Sequence, residues 1–285
     1  MENTTTETNI EIKNIDGLQY LTTITDETID LIFADPPYNI GKKFGKFEDK
    51  WNSEKEYIEW YCTWLELCIK KLKPSGSLYL MTSTQALPYI DIWLRKKMTI
   101  LSRIVWYYDS SGVQAKKYFG SLYEPILFAV KNCKNYTFNS SDIEIEAKTG
   151  SQRKLIDYRK KIPELYKSKK TPGNVWYIPR VRYRMEEYEE HPSQKPEKLL
   201  ERINKASTNI GDTILDPFGG TFTTSAVAQK LGRKSISIEM EEDYFKIGLR
   251  RLKLTTHYNN TELKQPKKVF VKKYESVNVD VQITL

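Results

Sequence analysis

Apolar and polar positions fall into two kinds of block along this chain. Short apolar runs closed by breakers read as buried strands, and apolar residues three and four apart read as helices. Residues 11–15 read as a first strand, and Asp16 and Gly17 turn it into a short helix over 18–24. Ile29–Ala34 is a second strand, stopped by Asp35-Pro36-Pro37-Tyr38 because proline cannot continue a ladder. Residues 40–52, with Gly41 and Gly45, show no period and read as a loop. Tyr57, Ile58, Tyr61, Trp64, Leu65, Cys68, Ile69 and Leu72 recur at helical spacing, and Pro74 and Gly76 close that helix. Strands follow at 77–82, 104–108 and 125–130. After a long polar stretch come a helix over 197–206, a strand over 213–215 ending at Asp216, and a helix over 223–231 capped by Gly232. A strand over 235–238, a helix over 243–252 and a polar tail with one strand at 269–271 complete the chain. Strands alternating with helices in this way predict an α/β fold with a mostly parallel sheet.

Sheets of that kind bind ligands at the carboxyl ends of their strands, which draws attention to three acids. Asp35 sits at such an end, in a turn that offers a carboxylate, a carbonyl beside a proline nitrogen and an aromatic face. Together these can hold a flat base by its amino group. Asp216 opens a second turn, Asp216-Pro217-Phe218-Gly219-Gly220-Thr221-Phe222-Thr223-Thr224, whose glycines let a ligand approach the backbone before the helix begins. Glu239 ends the next strand, 23 residues on, an offset at which an acid binds ribose hydroxyls. In His191-Pro192-Ser193-Gln194-Lys195-Pro196, Pro196 starts a helix, and Ser193, Gln194 and Lys195 can donate to a carboxylate there.

Charge changes the picture of the polar stretch. The chain of 285 residues carries a net charge of +8. Residues 148–184 hold twelve Lys or Arg against Asp157 and Glu164, a local net of +10 that leaves the remainder at −2. Tyr158, Tyr166, Trp176, Tyr177 and Tyr183 are interleaved with these cations, which suits phosphate contact and base stacking. The organisation expected is a catalytic part over 1–131, a target-recognition insertion over 132–190, a cofactor-binding part of the same domain over 191–253, and a tail over 254–285. Cys62, Cys68 and Cys133 have no metal-ligand spacing, and with two histidines no metal site is expected. No apolar run reaches membrane length and no signal-peptide core is present, so no membrane partner is expected, and the chain reads as soluble, cytoplasmic and nucleoid-associated.

The three motifs Asp35-Pro36-Pro37-Tyr38, His191–Pro196 and Asp216-Pro217-Phe218-Gly219 resemble those of S-adenosylmethionine-dependent DNA amino-methyltransferases. Their order resembles the beta arrangement of that family, over roughly residues 10–255, and segments 109–117, 148–160 and 172–184 resemble its bacterial orphan-type adenine members. The resemblance implies a Rossmann-like methyltransferase with a mostly parallel seven-stranded sheet flanked by helices, plus the inserted recognition region. It implies methyl transfer from S-adenosylmethionine to adenine N6 of a flipped base in a short sequence of double-stranded DNA.

By the same resemblance Asp35, Pro36, Pro37 and Tyr38 are the catalytic turn. Asp16, Asp35, Ser193, Gln194, Lys195, Asp216, Phe218, Gly219, Thr223, Thr224 and Glu239 are the cofactor residues. A homodimer is compatible with the family, and a partner endonuclease is not readable. Lys42, Lys43, Arg153, Arg159, Arg180, Arg182 and Arg184 are the candidate DNA contacts, to phosphate or guanine. Cytosine N4 methylation, a catalytically silent DNA-binding module and RNA methylation are the alternatives. One departure stands out: Phe222 occupies a place where the family's cofactor turn usually has glycine, although the site is still expected to be active.

Overall fold

Eight strands form the central sheet of this computed structural model, which describes residues 9–109, 116–148 and 153–264. They are β1 (Ile10–Lys13), β2 (Ile29–Ala34), β3 (Leu72–Met81), β4 (Thr99–Tyr107), β5 (Tyr123–Val130), β6 (Val175–Tyr177), β7 (Thr213–Asp216) and β8 (Lys234–Ile238). The helices between them are α1 (Gly17–Leu21), α2 (Glu54–Lys71), α3 (Leu87–Leu94), α4 (Glu197–Ser207), α5 (Thr223–Lys230) and α6 (Glu242–Arg251). In space the strands run β1-β8-β7-β2-β3-β5-β4-β6, with β5 antiparallel to both its neighbours and every other pairing parallel. The expected seven-stranded sheet is present, and β6, contributed from inside the basic stretch, lengthens its edge by one strand.

Alternation along β2 shows how the sheet is covered. Leu31 and Phe33 join a cluster with Leu199, Leu200, Ile203 and Val227, while Ile32 and Ala34 face Tyr61, Trp64, Leu65 and Ile90. Successive side chains of a strand point to opposite faces, so a run apolar at nearly every position is buried on both sides. One layer is therefore α2 and α3, the other α4 and α5. The chain leaves β2 for β3 on one side and returns to β7 on the other, so the strand order reverses between β2 and β7. Crevices form at such a switch point.

Several local expectations are corrected. α2 begins at Glu54 rather than 57, because Ser53 caps it: the Glu56 N–H donates to Ser53 Oγ at 3.1 Å, and Glu56 returns its carboxylate to the Asn52 N–H at 3.2 Å. That helix runs straight into β3 at Leu72, and Pro74 and Gly76 lie in the first residues of the strand, beside a register irregularity against β2. α3 was not expected; it starts on Pro88 in its first turn and buries Ile90 and Leu94. The loop over 40–52 contains a small hairpin, Lys43–Phe44 against Phe47–Glu48. The strand expected at 269–271 lies outside the described residues, as does most of the polar loop after Asp109.

In the basic stretch, Ile156–Asp157 pairs with Glu164–Leu165 and Ile145–Glu146 with Lys169–Lys170, each as a short antiparallel ladder. Tyr158, Tyr177 and Tyr183 are exposed there, whereas Trp176 is buried under the guanidinium of Arg202, 5.0 Å from its ring centre. Among the described residues no helix is long and apolar enough to cross a membrane.

Candidate active site

Three adjacent parallel strands, β2, β7 and β8, each deliver an acid to the same edge of the sheet: Asp35, Asp216 and Glu239. Their hydrogen bonds give the three different roles. Asp216 accepts from the Phe218 N–H at 3.0 Å and from Thr224 Oγ1 at 2.5 Å, which closes the turn into α5. Glu239 accepts from the Gly220 and Glu241 N–H groups, both at 2.8 Å. Burial pushes each of these carboxyls up to about 7, against the pull of its own hydrogen bonds. Both acids therefore organise the glycine turn from beneath.

Close backbone approach explains two glycines. A Cβ on Gly17 would lie 2.7 Å from the Pro217 carbonyl oxygen, and one on Gly219 would lie 3.1 Å from the Ile238 carbonyl oxygen. The start of α1 and the end of β8 thus pack directly on the turn. Phe222 takes a left-handed conformation (φ 58°, ψ 36°) and is fully buried. Phe218 packs against Trp64 and Trp60 of α2, with ring centres 4.9 and 6.1 Å away. Thr223 Oγ1 donates to the Lys195 carbonyl at 3.2 Å and accepts from Arg251 at 3.0 Å. The same guanidinium reaches the Thr221 carbonyl at 3.0 Å and Glu197 at 2.8 Å, so it ties the turn to the start of α4. Arg251 carries no motif and was not foreseen.

Around Asp35 the chain builds a second cluster. Tyr38 donates to Asp35 Oδ1 at 2.8 Å, and the Lys195 ammonium pairs with Asp35 Oδ2. Glu124, on β5, lies 3.1 Å from the Tyr38 hydroxyl and 3.7 Å from Lys195, and accepts from the Tyr108 hydroxyl at 3.2 Å. Burial, with the Glu124 charge, raises the Asp35 pKa against the pull of Lys195. Burial works against the Lys195 charge, but Asp35 and Glu124 outweigh it and raise that pKa too. The Glu124 charge thus adds to burial at Asp35 and works against burial at Lys195. Tyr57 holds the turn by donating to the Pro37 carbonyl at 2.9 Å, and the Tyr38 N–H is bound by Asp49 at 3.2 Å.

A single cavity of about 570 Å³ joins the Asp35 cluster to the glycine turn. Asp16, Ser193, Gln194 and Lys195 line it. Their roles differ in detail. Asp16 caps α1 through the Gln19 N–H at 2.9 Å. The Gln194 amide is spent on the insertion's end, accepting from the Glu189 N–H at 2.7 Å and donating to the Glu187 carbonyl at 2.6 Å. The Lys195 ammonium faces Asp35 rather than the start of α4, and the Ser193 N–H donates to His191 Nδ1 at 3.2 Å. Burial, then the charges of Lys195 and Lys42, push His191 down to about 3, so its ring is neutral.

The cavity fits S-adenosylmethionine. Seven carboxylates on its wall, among them Asp16, Asp35, Asp216 and Glu239, suit a donor bearing a sulfonium and an ammonium. Among the described residues no three His, Cys, Asp or Glu side chains gather as metal ligands.

The candidate DNA residues divide. Lys42 and Arg180 line the cavity, Lys42 donating to the Pro192 carbonyl at 2.9 Å and Arg180 lying 5.1 Å from the Tyr108 ring centre. Lys43, Arg153, Arg182 and Arg184 are exposed. Arg159 is exposed as well, with its guanidinium held on Asp157 by two bonds of 2.8 and 2.9 Å.

Residues 29–250 match the family described as DNA methylase. The DNA adenine methyltransferase YhdJ of Escherichia coli (strain K12) is 58% identical over 253 residues, covering 89% of this chain and 86% of that protein. Among solved structures, the M1.HpyAVI–SAM complex aligns with a TM-score of 0.59 at 23% identity, covering 85% of this chain and 98% of the other. The PvuII DNA methyltransferase, cytosine-N4-specific, aligns with a TM-score of 0.64 at 19% identity over 90% of both chains.

Proposed function

This chain belongs to the DNA methylase family, and from that membership we propose that it transfers a methyl group from S-adenosylmethionine to the N6 amine of adenine in DNA. The extent of identity to the Escherichia coli protein named a DNA adenine methyltransferase favours adenine over cytosine. The observation that carries the reading is the shared cavity: the Asp35 turn and the glycine turn open into one space of about 570 Å³.

When bound, S-adenosylmethionine supplies a methyl group on a positively charged sulfur. The chain's own residues supply orientation and charge. An exocyclic amine is a poor nucleophile because its lone pair is drawn into the ring. Hydrogen bonds from its two N–H groups to Asp35 and the Pro36 carbonyl draw the nitrogen toward a tetrahedral form with an available lone pair. The same acceptors stabilise the positive charge that grows on nitrogen during direct transfer. Positioning of this kind is worth up to about 7–11 kcal/mol in ideal cases. The target atom is out of reach inside a duplex, so the base is extruded into the cavity, where Tyr38 offers a ring to stack on. Residues 132–190 are the region that reads the DNA, with Lys42 and Arg180 nearest the reacting base. Asp16 and Glu239 take the nucleoside end of the donor, and Ser193 its amino-acid end, while Asp216, Thr224 and Gln194 shape the walls.

The test is incubation of purified protein with tritiated S-adenosylmethionine and unmethylated genomic DNA, followed by digestion to nucleosides. Label in N6-methyldeoxyadenosine supports the reading. Label in N4-methyldeoxycytidine reverses the base, and no label in DNA overturns the reading.

A further inference from the structure

Two donors already hold the carboxylate on which the proposed function depends. Tyr38 binds Asp35 Oδ1 at 2.8 Å and Lys195 pairs with Oδ2, so an incoming amine competes with both. Each of these donors has a second acceptor within reach, and it is the same one. Glu124 lies 3.1 Å from the Tyr38 hydroxyl and 3.7 Å from Lys195 Nζ. Its other oxygen is fixed by the Tyr108 hydroxyl at 3.2 Å, which keeps the carboxylate turned to the cavity.

We propose that Glu124 is a positioning residue that takes over Lys195 and Tyr38 when the target amine engages Asp35. The inference rests on the methyltransferase reading and adds a residue that carries no recognised motif. Lys195 stays between two carboxylates throughout, so the exchange moves it by a short swing and never leaves a buried charge unpaired. Without Glu124, Asp35 is the one carboxylate partner left to Lys195 among the described residues, and Lys195 remains on it.

Charge gives the proposal a measurable signature. The groups facing Asp35 are Tyr38 from its own turn, Lys42 from the hairpin arm, Tyr57 and Tyr61 from α2, Glu124 from β5, Lys195 ahead of α4 and Asp216 from β7. Arg180, beside Lys195, and Tyr108, beside Glu124, complete the ring. Of these, Glu124 is the carboxylate whose charge raises Asp35. Removing that charge alone, by Glu124→Gln, lowers the Asp35 pKa, so the acid limb of the rate moves to lower pH.

The experiment compares wild type, Glu124→Gln and Glu124→Ala in methylation of unmethylated DNA across pH, with donor and DNA binding measured separately. The expected result is a fall in kcat on the order of 10²-fold, little change in either affinity, and an acid limb displaced downward in Glu124→Gln. Unchanged kcat and an unmoved limb in Glu124→Gln overturn the proposal. If Glu124→Ala fails to fold, Glu124→Gln, which keeps the shape, decides the matter. A wild-type protein that methylates no DNA overturns the methyltransferase reading instead. Carbon-13 titration of the Asp35 carboxyl in wild type and Glu124→Gln then settles the Glu124 contact on its own, a lowered value supporting it and an equal value overturning it.

Discussion

The ring of Phe222 fills the space that a side chain at residue 248 would need: a Cβ on Gly248 would stand 2.3 Å from Phe222 Cδ2. The aromatic side chain that departs from the family's glycine is thus matched by a glycine on α6. Phe222 also holds a left-handed backbone, which costs a bulky residue of order 1–3 kcal/mol. Packing of the buried ring against Phe245 and the α6 backbone offsets that cost.

Gly248→Ala is therefore expected to destabilise the protein by about 1–3 kcal/mol, the range for overpacking a filled core. In a Phe222→Gly background the same change should cost almost nothing. Thermal melts of the four proteins in this double-mutant cycle check the coupling. Equal penalties in both backgrounds would show that ring and glycine are independent.

Asp35→Asn removes the charge that draws on the amine while keeping the shape of the turn. Methyl transfer should fall by at least about 10²–10³-fold, the magnitude for loss of one aimed electrostatic partner. Donor binding, measured by calorimetry, should change little. Retained methylation would remove Asp35 from the reacting centre.

Arg251→Lys tests the clip between the glycine turn and α4. A lysine cannot reach the Thr221 carbonyl, Thr223 and Glu197 together, because its ammonium lacks the planar fork. Affinity for S-adenosylmethionine should drop roughly tenfold, corresponding to about 1.4 kcal/mol. Calorimetric titration with the donor gives the number directly.

Buried Asp216, pushed up to about 7, links stability to pH. A carboxyl whose folded pKa is raised contributes stability that is present below its unfolded pKa, near 4, and is lost as pH rises through about 7. In thermal melts, wild type should therefore lose stability relative to Asp216→Asn between about pH 4 and pH 7, by no more than about 4 kcal/mol, with the difference levelling off above pH 7. Asparagine suits the contacts, accepting from the Phe218 N–H and donating to Thr224. A constant difference across that range would refute the shift.

Arg180 and Arg159 should behave differently toward DNA. Arg180 lines the cavity, so Arg180→Ala should weaken DNA binding and lower the slope of log K against log salt by about 0.9. Arg159 is committed to Asp157, and Arg159→Ala should leave that slope nearly unchanged. Binding isotherms at a series of salt concentrations separate the two.

The sheet and the three strand-end acids were legible because their signals are local. Pro36 and Pro37 stop β2 within one residue of Ala34, and Gly232 closes α5. α3 was missed because its eight residues, Leu87–Leu94, are apolar nearly all round and offer no clear period, and its one start signal is Pro88. The early start of α2 was written in Ser53-x-x-Glu56, a capping box that its apolar spacing does not reveal. β6 was hidden because a three-residue strand inside a basic stretch is defined by its neighbour, β4, and by nothing in its own pattern. Glu124 and Arg251 escaped for a related reason. Their partners lie at residues 38, 108 and 195, and at 197, 221 and 223, so their roles exist only after folding. The one trace of Glu124 was an acid heading an otherwise apolar run.

The pairing of β1 with β8 sets a clock on biosynthesis. Asn14 donates to the carbonyl of Glu239, 225 residues further on, and β1 has its ladder partner in that same late strand. A ribosome has released the first 212 residues before β7 and β8 emerge. Through that interval the nascent chain carries the Asp35 turn on a sheet edge still awaiting β7, and exposed edges of this kind invite pairing with other chains. β7, β8 and the glycine turn between them are made last, so the cavity they share with the Asp35 turn is completed only once the rest of the fold is in place.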